Sequence, residues 1–397
     1  MNIIAKTAIS ATALLATSIA ATTAQAQYEH CGGIYMAYPA PTEHSTPTPP
    51  NGYKPFYISH FARHGSRWLP ADSRYEAVAS VFADTTNLTE LGQDVRRRIN
   101  LICADAMGRG GELTALGYEQ HRDMAKRMVE TYPGVFTSDA VVTARASVVG
   151  RCVMSMSSFL LQFTRMRPEI TVDATSSRRD MGIIAYTSDE MRTLEDTLHR
   201  VWRTDSRRLM TSLFRDTTRI GVKGDDLLSE LHALASDMQN VRIGVSLYDI
   251  FTPEEIQTVY EDHNWQMQTC NGINAFNQGI PERCALTLWE DFRTRANAAI
   301  ERKENGADLR FGHDTSLYRL LSLMGFFADE NRMDKIIPMG ANLQIVFYRG
   351  KGETLITIFH NERQIAVPGL KEKAHGGFYS WREFEEMVEQ RVMKFKK

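Results

Sequence analysis

A histidine stands between two arginines in the first part of this 397-residue chain. The run Phe61 to Trp68 contains, in order, Arg63, His64, Gly65 and Arg67. Two guanidinium groups can hold phosphate oxygens through paired hydrogen bonds, and a neutral imidazole nitrogen between them can attack phosphorus in line. Gly65 lets the backbone turn close to the anion because it carries no side chain. The segment predicts a phosphoryl-transfer site with His64 as nucleophile.

Two further segments supply groups that the same chemistry would need. The first, Thr143 to Ser155, follows an apolar strand-like stretch and carries Arg145 and Arg151. The second places His313 and Asp314 at the start of an apolar helical pattern, where free backbone N–H groups favour an anion. The pair could also be an ordinary helix start with Asp314 as its N-cap. The coincidence of all three segments carries the prediction.

These segments resemble branch 2 of the histidine phosphatase superfamily, which contains the histidine acid phosphatases, the phytases and the multiple inositol polyphosphate phosphatases. The family motif R-H-G-x-R-x-P corresponds to Arg63 through Arg67, with the proline displaced to Pro70. The second family arginine corresponds to Arg151, and the family H-D pair corresponds to His313-Asp314. Weaker similarity to a family helix start and to the late sheet is found at Gly111 to Gly117, Asn342 to Arg349 and His360 to Glu362.

The chain lies between two subgroups of that family. The inositol polyphosphate phosphatases usually carry H-A-E where this chain has His313-Asp314-Thr315. The pair Arg151-Cys152, in contrast, is closer to their second motif than to that of the acid phosphatases.

The resemblance implies an α/β fold, a phosphoglycerate mutase-like three-layer α/β/α sandwich with an inserted, mostly helical cap. It implies that His64 attacks phosphorus to form a phosphohistidine and that Asp314 protonates the leaving group. The phosphate oxygens would be held, and their growing charge offset, by Arg63, Arg67, Arg151 and His313. No metal or cofactor is expected, because the arginines supply the positive charge. Asp314 must be neutral at transfer, which predicts an acidic working pH or a pKa above the ~3.9 of a free aspartate.

The order of elements along the chain agrees with this architecture. Residues 53–184 and 306–397 mix strand-like and helical stretches and are predicted to form the catalytic domain. Residues 185–305 carry amphipathic helical patterns and are predicted to form the cap, which would cover the cleft and select the leaving group. Proline-rich residues 27–52 predict an extended lead-in. We expect the reactive groups at the carboxyl ends of strands, where open α/β sheets bind ligands.

Other charged residues allow two interpretations. Arg145 either contacts substrate or stabilises its own loop, and the pair Arg178 and Arg179 is either a substrate contact or a solvated charged edge. His60 and His64 have the spacing of helical metal ligands, but the aromatic stretch before them predicts a strand. No metal site is therefore predicted.

The first 26 residues predict export. Lys6 precedes an apolar run from Ala8 to Ala21, and the small-x-small site Ala24 to Ala26 lies directly before Gln27, as in a cleavable signal peptide. No later stretch approaches the ~20 apolar residues of a membrane span. We therefore expect a periplasmic or secreted protein that is cut after Ala26.

Five cysteines and a formal charge of -2 complete the composition. In an exported chain the cysteines predict one or two disulfides, for example Cys270 with Cys284, and leave Cys152 as a free thiol. The charge gives no indication of nucleic-acid binding. The expected partner is a small phosphorylated molecule, and the oligomeric state is left open.

The motifs together predict a phosphomonoester hydrolase that acts, by resemblance, on phytate or other inositol phosphates. A broad acid phosphatase for sugar phosphates or nucleotides stays open, because the cap would set that selectivity. A phosphoglycerate mutase-like transferase shares the nucleophile but is disfavoured by export. A protein that only captures phosphorylated ligands is disfavoured by His64 and Asp314, because a binder needs neither nucleophile nor proton donor.

Overall fold

The computed structural model describes residues 28–42, 46–197, 203–272, 274, 276–327 and 336–395. The predicted signal peptide, residues 1–26, lies outside them. The α-helices of the described residues are α1 Asp72–Val81, α2 Glu90–Ala106, α3 Ala115–Thr131, α4 Gly150–Met166, α5 Arg178–Ile184, α6 Asp189–Thr197, α7 Arg207–Leu213, α8 Gly224–Asp237, α9 Pro253–Asn271, α10 Ile280–Arg302, α11 Asp314–Met324 and α12 Trp381–Phe395. The strands are β1 Lys54–Arg63, β2 Val141–Ala146, β3 Val172–Thr175, β4 Gly306–Gly312, β5 Asn342–Arg349, β6 Leu355–His360, β7 Arg363–Gln364 and β8 Tyr379–Ser380.

The chain divides into two compact units. The first, called here the helical unit, consists of the described residues within Met1–Ala37, Trp68–Gly111 and Val201–His263. The second, called the α/β unit, consists of the described residues within Tyr38–Arg67, Glu112–Arg200 and Asn264–Lys397. All strands of the described residues belong to the α/β unit. The same unit contains every residue that the sequence nominated for the site.

The sheet of the α/β unit has the order β3-β2-β4-β1-β5-β6-β7, with β8 paired to β6. β1 is a central strand that pairs in parallel with β4 and antiparallel with β5. β1 and β4 end level with each other, since Arg63 is the register partner of Gly312. The residues that follow, His64 and His313, therefore leave the sheet at the same edge, as predicted for an open α/β sheet.

Helices cover both faces of this sheet. On one face, Met128 of α3 and Phe159 of α4 join a buried cluster that includes Ile58 of β1. On the other face, Trp289 of α10 joins a cluster that includes Phe61 of β1, with further members from α11 and α12. β1 is buried on both sides because it lies between two helical layers. The predicted three-layer α/β/α sandwich is confirmed.

The two units divide the sequence differently from the predicted boundaries. α1 and α2 lie in the helical unit, although residues 53–184 were assigned to the catalytic domain. α10 lies in the α/β unit, and its Trp289 and Phe292 are buried in the core beside the sheet. An amphipathic pattern shows that a helix buries one face, but not which partner covers that face. In the predicted lead-in, Glu29–Tyr35 forms a 3₁₀ helix.

The expected export of the protein is linked to two predictions that the described residues address, the absence of a membrane-spanning helix and the presence of disulfides. No helix among the described residues is both long and apolar enough to span a membrane. All five cysteines lie among them and are free, so the predicted disulfides are wrong. Cys284 is buried on α10 with its sulfur 3.6 Å from the Ser188 hydroxyl, while Cys270 is partly exposed near the end of α9. The loop length permitted a bridge, but it does not fix the directions of side chains on two helices.

Candidate active site

His64 is held by backbone and side-chain hydrogen bonds just after β1. Its N–H donates to the Gly312 carbonyl at 3.0 Å, and its carbonyl accepts from the Gly340 N–H at 2.8 Å. The ring Nδ1 lies 2.9 Å from the Gly65 carbonyl oxygen. A carbonyl can only accept, so Nδ1 carries the proton and Nε2 keeps its lone pair. This tautomer is the one that a histidine nucleophile needs.

The surroundings of His64 keep its ring neutral. Burial lowers the pKa of His64 well below its usual value of 6.5, and three arginines lower it further. They are Arg63, Arg67 and Arg151. The imidazole therefore retains its nucleophilic form in the acidic range in which a protonated aspartate can act.

The loop after His64 lies directly on the start of α3. A Cβ placed on Gly65 would come within 2.6 Å of the Gly117 carbonyl oxygen, so only glycine permits this approach. The Thr114 side chain caps α3 by accepting from the Gly117 N–H, and the Thr114 N–H donates to the Ser66 carbonyl at 2.9 Å. Gln120 also binds Ser66, accepting from its N–H and donating to its hydroxyl, both at 2.8 Å. These contacts fix the segment that leads to Arg67.

Arg63 and Asp314 form an ion pair in the site. Arg63 is fully buried, with Nη1 donating to the Ile337 carbonyl at 2.6 Å and Nη2 lying 3.0 Å from Asp314 Oδ2. The other carboxylate oxygen accepts from the Thr315 N–H at 2.9 Å. His313 occupies the N-cap position of α11 and Asp314 the first helical position. The alternative of Asp314 as an N-cap residue is therefore wrong.

The pKa of Asp314 results from opposing influences. Burial raises it, but Arg63 lowers it, followed by His313, the Thr315 N–H and Arg67. The result lies below the usual 3.8. The sequence allows Asp314 to be protonated either through an acidic working pH or through a raised pKa. In the free site its pKa is not raised. In the site without phosphate the carboxyl is instead held in its ionised form.

Arg151 and His313 complete the group. Arg151 is half-buried in the first turn of α4, and burial, followed by the charge of Arg67, lowers its pKa. The rings of His64 and His313 have centroids 5.9 Å apart. Burial lowers the pKa of His313 to about 4, although Asp314 raises it, and the charges of Arg151, Arg63 and Arg67 lower it further. The structure thus brings together six of the nominated residues: Arg63, His64, Arg67, Arg151, His313 and Asp314.

The remaining nominated arginines have other surroundings. Nη1 of Arg145 lies 2.8 Å from Asp291 on α10, and the same carboxylate binds Arg310 at 2.7 Å. This pairing favours a structural role for Arg145. Arg178 and Arg179 begin α5 and are exposed, and neither forms an ion pair with another described residue. α5 contacts the loop before α4 through one hydrogen bond, in which the Val148 N–H donates to the sulfur of Met181 at 3.4 Å.

The predicted strand around His60 is confirmed, and its ring lies in the core. The ring is fully buried beside Phe159 and Phe311, with centroid distances of 5.9 and 6.3 Å. Within the described residues, no group of three or more His, Cys, Asp or Glu side chains could hold a metal ion.

Two contacts of the site were not predicted from the sequence. The Ser147 hydroxyl lies 2.9 Å from His313 Nε2, and the Gly65 N–H donates to the Ser155 hydroxyl at 3.1 Å. Both serines lie in the Thr143 to Ser155 segment, where only the arginines indicate phosphate chemistry. Serine is common, and no local pattern shows that its partner lies far along the chain.

A family model described as histidine phosphatase superfamily, branch 2, matches residues 62–361. The chain belongs to this family. As a branch 2 histidine phosphatase it has the fold and class of enzyme that the motifs predicted, a histidine acid phosphatase. The matched segment contains every residue nominated for the site.

Solved structures share the fold of this histidine phosphatase. A multiple inositol polyphosphate phosphatase from Bifidobacterium longum, in complex with inositol hexasulfate, has a TM-score of 0.69 at 16% identity, covering 90% of this chain and 97% of its own. A phytase from D. castellii has a TM-score of 0.65 at 17% identity, covering 92% and 85%. A Hafnia alvei phytase without ligand has a TM-score of 0.52 at 13% identity, covering 87% and 98%. No curated protein sequence matches this one significantly.

Proposed function

We propose that this histidine phosphatase hydrolyses phosphate monoesters through a phosphohistidine on His64, with inositol phosphates such as phytate as its substrates. The observation that carries the proposal is the state of His64: the Gly65 carbonyl fixes its proton on Nδ1, and three arginines surround its ring. A binding protein for phosphate would gain nothing from a neutral, oriented imidazole. Such an imidazole is what an in-line nucleophile requires.

The first chemical step transfers the phosphoryl group to the enzyme. The Nε2 lone pair of His64 forms a bond to phosphorus while the bond from phosphorus to the ester oxygen breaks. The departing oxygen takes the proton of Asp314 and leaves as an alcohol, and Asp314 remains in the site as a carboxylate. The charge on the equatorial oxygens is offset by Arg63, Arg67 and Arg151, which need little rearrangement because they are already buried or half-buried in the site.

The second step returns the enzyme to its starting state. A water molecule attacks phosphorus, the bond between phosphorus and Nε2 breaks, and the Asp314 carboxylate accepts the proton of the water. Inorganic phosphate leaves and His64 is again neutral. One carboxyl group therefore serves as acid in the first step and as base in the second.

Substrate binding has to create the acid. In the free site Arg63 is paired with Asp314, and a phosphate oxygen that binds Arg63 replaces that carboxylate. Asp314 then loses its strongest stabilising charge and gains a phosphate anion as neighbour. Both changes raise its pKa, because each disfavours the carboxylate form. The proton donor is thus prepared only in the complex.

The proposal of inositol phosphates is supported by two observations. One structure with the same fold is a multiple inositol polyphosphate phosphatase in complex with inositol hexasulfate. In this chain, the exposed Arg178 and Arg179 lie on α5, and α5 contacts the loop before α4. Arg151 lies in the first turn of α4. A substrate with several phosphates could use this pair for a second phosphate, whereas a simple monoester could not.

The decisive assay is phosphate release from phytate, glucose 1-phosphate and an aryl phosphate, with a chelator present and with His64→Ala as control. We expect release that the chelator leaves intact and the variant loses, with phytate the best substrate. A preference for glucose 1-phosphate would support the broad acid phosphatase instead. Tight phytate binding without any release would support the capture protein.

We also propose that the protein is exported, since residues 1–26 have the pattern of a cleavable signal peptide. Expression of the full chain in a bacterium and N-terminal sequencing of the periplasmic fraction would test this. A mature protein beginning at Gln27 is expected. An uncleaved chain in the cytoplasmic fraction would contradict the proposal.

A further inference from the structure

The ring of His313 is contacted by two groups that the proposed mechanism does not use. The Ser147 hydroxyl oxygen lies 2.9 Å from Nε2, and Cys152 Sγ lies 3.7 Å from Nε2 and 3.9 Å from Nδ1. Both are fully buried. Ser147 is itself fixed by its own backbone, since its N–H donates to the Phe311 carbonyl at 2.9 Å.

The hydrogen bonds around Ser147 favour one direction for its contact with His313. The Ser147 oxygen already accepts from the Val149 N–H at 3.2 Å. That bond occupies one of its two lone pairs and leaves the single hydroxyl hydrogen to be donated to the best acceptor nearby. A neutral imidazole nitrogen is a stronger acceptor than a thiol sulfur, so that hydrogen is donated to Nε2 of His313.

Cys152 does not compete for the same role. Its thiol hydrogen is directed to the Gly312 carbonyl, at a sulfur to oxygen distance of 3.3 Å. Burial raises the pKa of Cys152 to about 11, so the thiol stays protonated. It packs against the ring as a small apolar group.

We propose that Ser147 is a positioning residue that holds the His313 ring and keeps its proton on Nδ1. The proposal rests on the proposed function and on the role that the family resemblance implies for His313, a hydrogen bond to phosphate. His313 is neutral above a pKa of about 4, so it has only one ring proton to donate. When Nε2 accepts from Ser147, that proton resides on Nδ1, which is then the one ring N–H that His313 can donate to a phosphate oxygen.

The arrangement gives both histidines of the site the same tautomer by different means. His64 is protonated on Nδ1 because that nitrogen faces a carbonyl acceptor. His313 is protonated on Nδ1 because its other nitrogen faces a hydroxyl donor. Without Ser147 the His313 ring could exchange tautomers and rotate, and a fraction of the protein would present a lone pair to the phosphate.

The direct test is ¹⁵N NMR of the histidine rings in the full-length protein near neutral pH, with His313→Gln used to assign the His313 signals. We expect wild-type His313 to carry its proton on Nδ1. A proton on Nε2 would overturn the proposal. The measurement needs no activity, so its outcome is independent of whether the protein releases phosphate.

The variant test compares Ser147→Ala with Ser157→Ala. Ser157 is the matched control on α4, because its hydroxyl donates to the Val153 carbonyl at 2.9 Å and is remote from the ring contacts of His313. In Ser147→Ala we expect mixed His313 tautomers and a KM for phosphate esters raised about tenfold, the effect of one hydrogen bond. Ser157→Ala should match wild type. A folded Ser147→Ala protein with an unchanged His313 tautomer and an unchanged KM would refute the positioning role of Ser147. If the variant does not fold, the His313 tautomer in the wild-type spectrum still tests the proposal.

Discussion

The guanidinium of Arg63, at the end of β1, lies 3.0 Å from the carboxylate of Asp314, at the start of α11. The first is the proposed phosphate ligand with the deepest burial, and the second is the proposed proton donor. In the proposed mechanism the free site therefore pairs its acid with one of its own phosphate-binding groups. The proposal makes the ionisation of Asp314 depend on whether phosphate is bound, and it predicts the pH dependence of the reaction.

The first prediction concerns pH. The pKa of Asp314 in the free site is below 3.8, so the protonated form required for catalysis becomes scarcer as the pH rises above that value. We expect kcat/KM to fall as the pH rises through the acidic range. The kcat profile should extend to higher pH, because bound phosphate raises the pKa of the carboxyl. Equal pH dependence of kcat and kcat/KM would contradict the exchange of partners on Arg63.

Asp314→Asn provides the control for that profile. We expect activity on phytate to fall by roughly 10² to 10⁴, since general acid catalysis typically contributes that much. An aryl phosphate should be affected far less, because its leaving group needs little protonation. Steady-state assays of both substrates would show the difference. Equal losses on the two substrates would argue against Asp314 as the acid.

Stability at low pH is governed by a second group of residues. His60 and His121 are fully buried, and burial lowers the pKa of each to about 3. In the unfolded chain both take up protons below about 6.5, so the unfolded state binds more protons than the folded state between that pH and 3. The free energy of unfolding should therefore fall as the pH is lowered through this range.

His60→Phe tests the contribution of one of these rings. The variant keeps an aromatic ring beside Phe159 and Phe311 but cannot take up a proton. Thermal unfolding as a function of pH should show a smaller loss of stability toward low pH than in wild type. An unchanged pH dependence would show that His60 does not stay neutral in the folded protein.

The close approach of two glycines gives a prediction for the loop of His64. Gly65→Ala would place a methyl group 2.6 Å from the Gly117 carbonyl oxygen, and the backbone of the loop would have to move. We expect a loss of about 1–3 kcal/mol in unfolding free energy together with a large loss of kcat. Denaturant unfolding and phosphate release measure the two effects.

Gly182→Ala is the matched control, because an added Cβ there meets no atom within 4 Å. It lies inside α5, where alanine is favoured over glycine by up to about 1 kcal/mol. The variant should be as active as wild type and no less stable. A Gly65→Ala protein that behaves like this control would disprove the steric account.

Arg178 and Arg179 carry the prediction for substrate class. If the pair binds a second phosphate, replacing both by alanine should raise KM for phytate by about tenfold or more. KM for an aryl phosphate, which has a single phosphate, should stay unchanged. Arg192→Ala is a control, since that side chain is exposed on α6 and paired with Asp189. Equal increases for both substrates would place the pair outside substrate recognition.

The parts of the site that were predictable are those carried by local sequence. The motif around His64 and the pair His313-Asp314 each follow a strand, and parallel strands bring their ends to one edge. The chemistry of those residue types then predicts the cluster. The family resemblance also predicted the sheet and its two helical layers, because the same local motifs carry that resemblance.

Long-range pairing was not predictable in the same way. Asp314 and Arg63 are 251 residues apart, and nothing in either motif shows that they form an ion pair in the free site. Arg145 pairs with Asp291, 146 residues away, on a helix that the sequence assigned to the cap. Such contacts depend on which helix packs on the sheet. Periodicity does not encode that choice, because any amphipathic helix buries one face.

The most direct test of the account is to trap the phosphoenzyme. Wild-type protein mixed with a phosphate-labelled substrate and rapidly quenched in base should carry label on His64, since a phosphohistidine survives base and is lost in acid. His64→Ala should carry no label and release no phosphate. Label on another residue, or phosphate release by His64→Ala, would contradict the claim that His64 is the nucleophile.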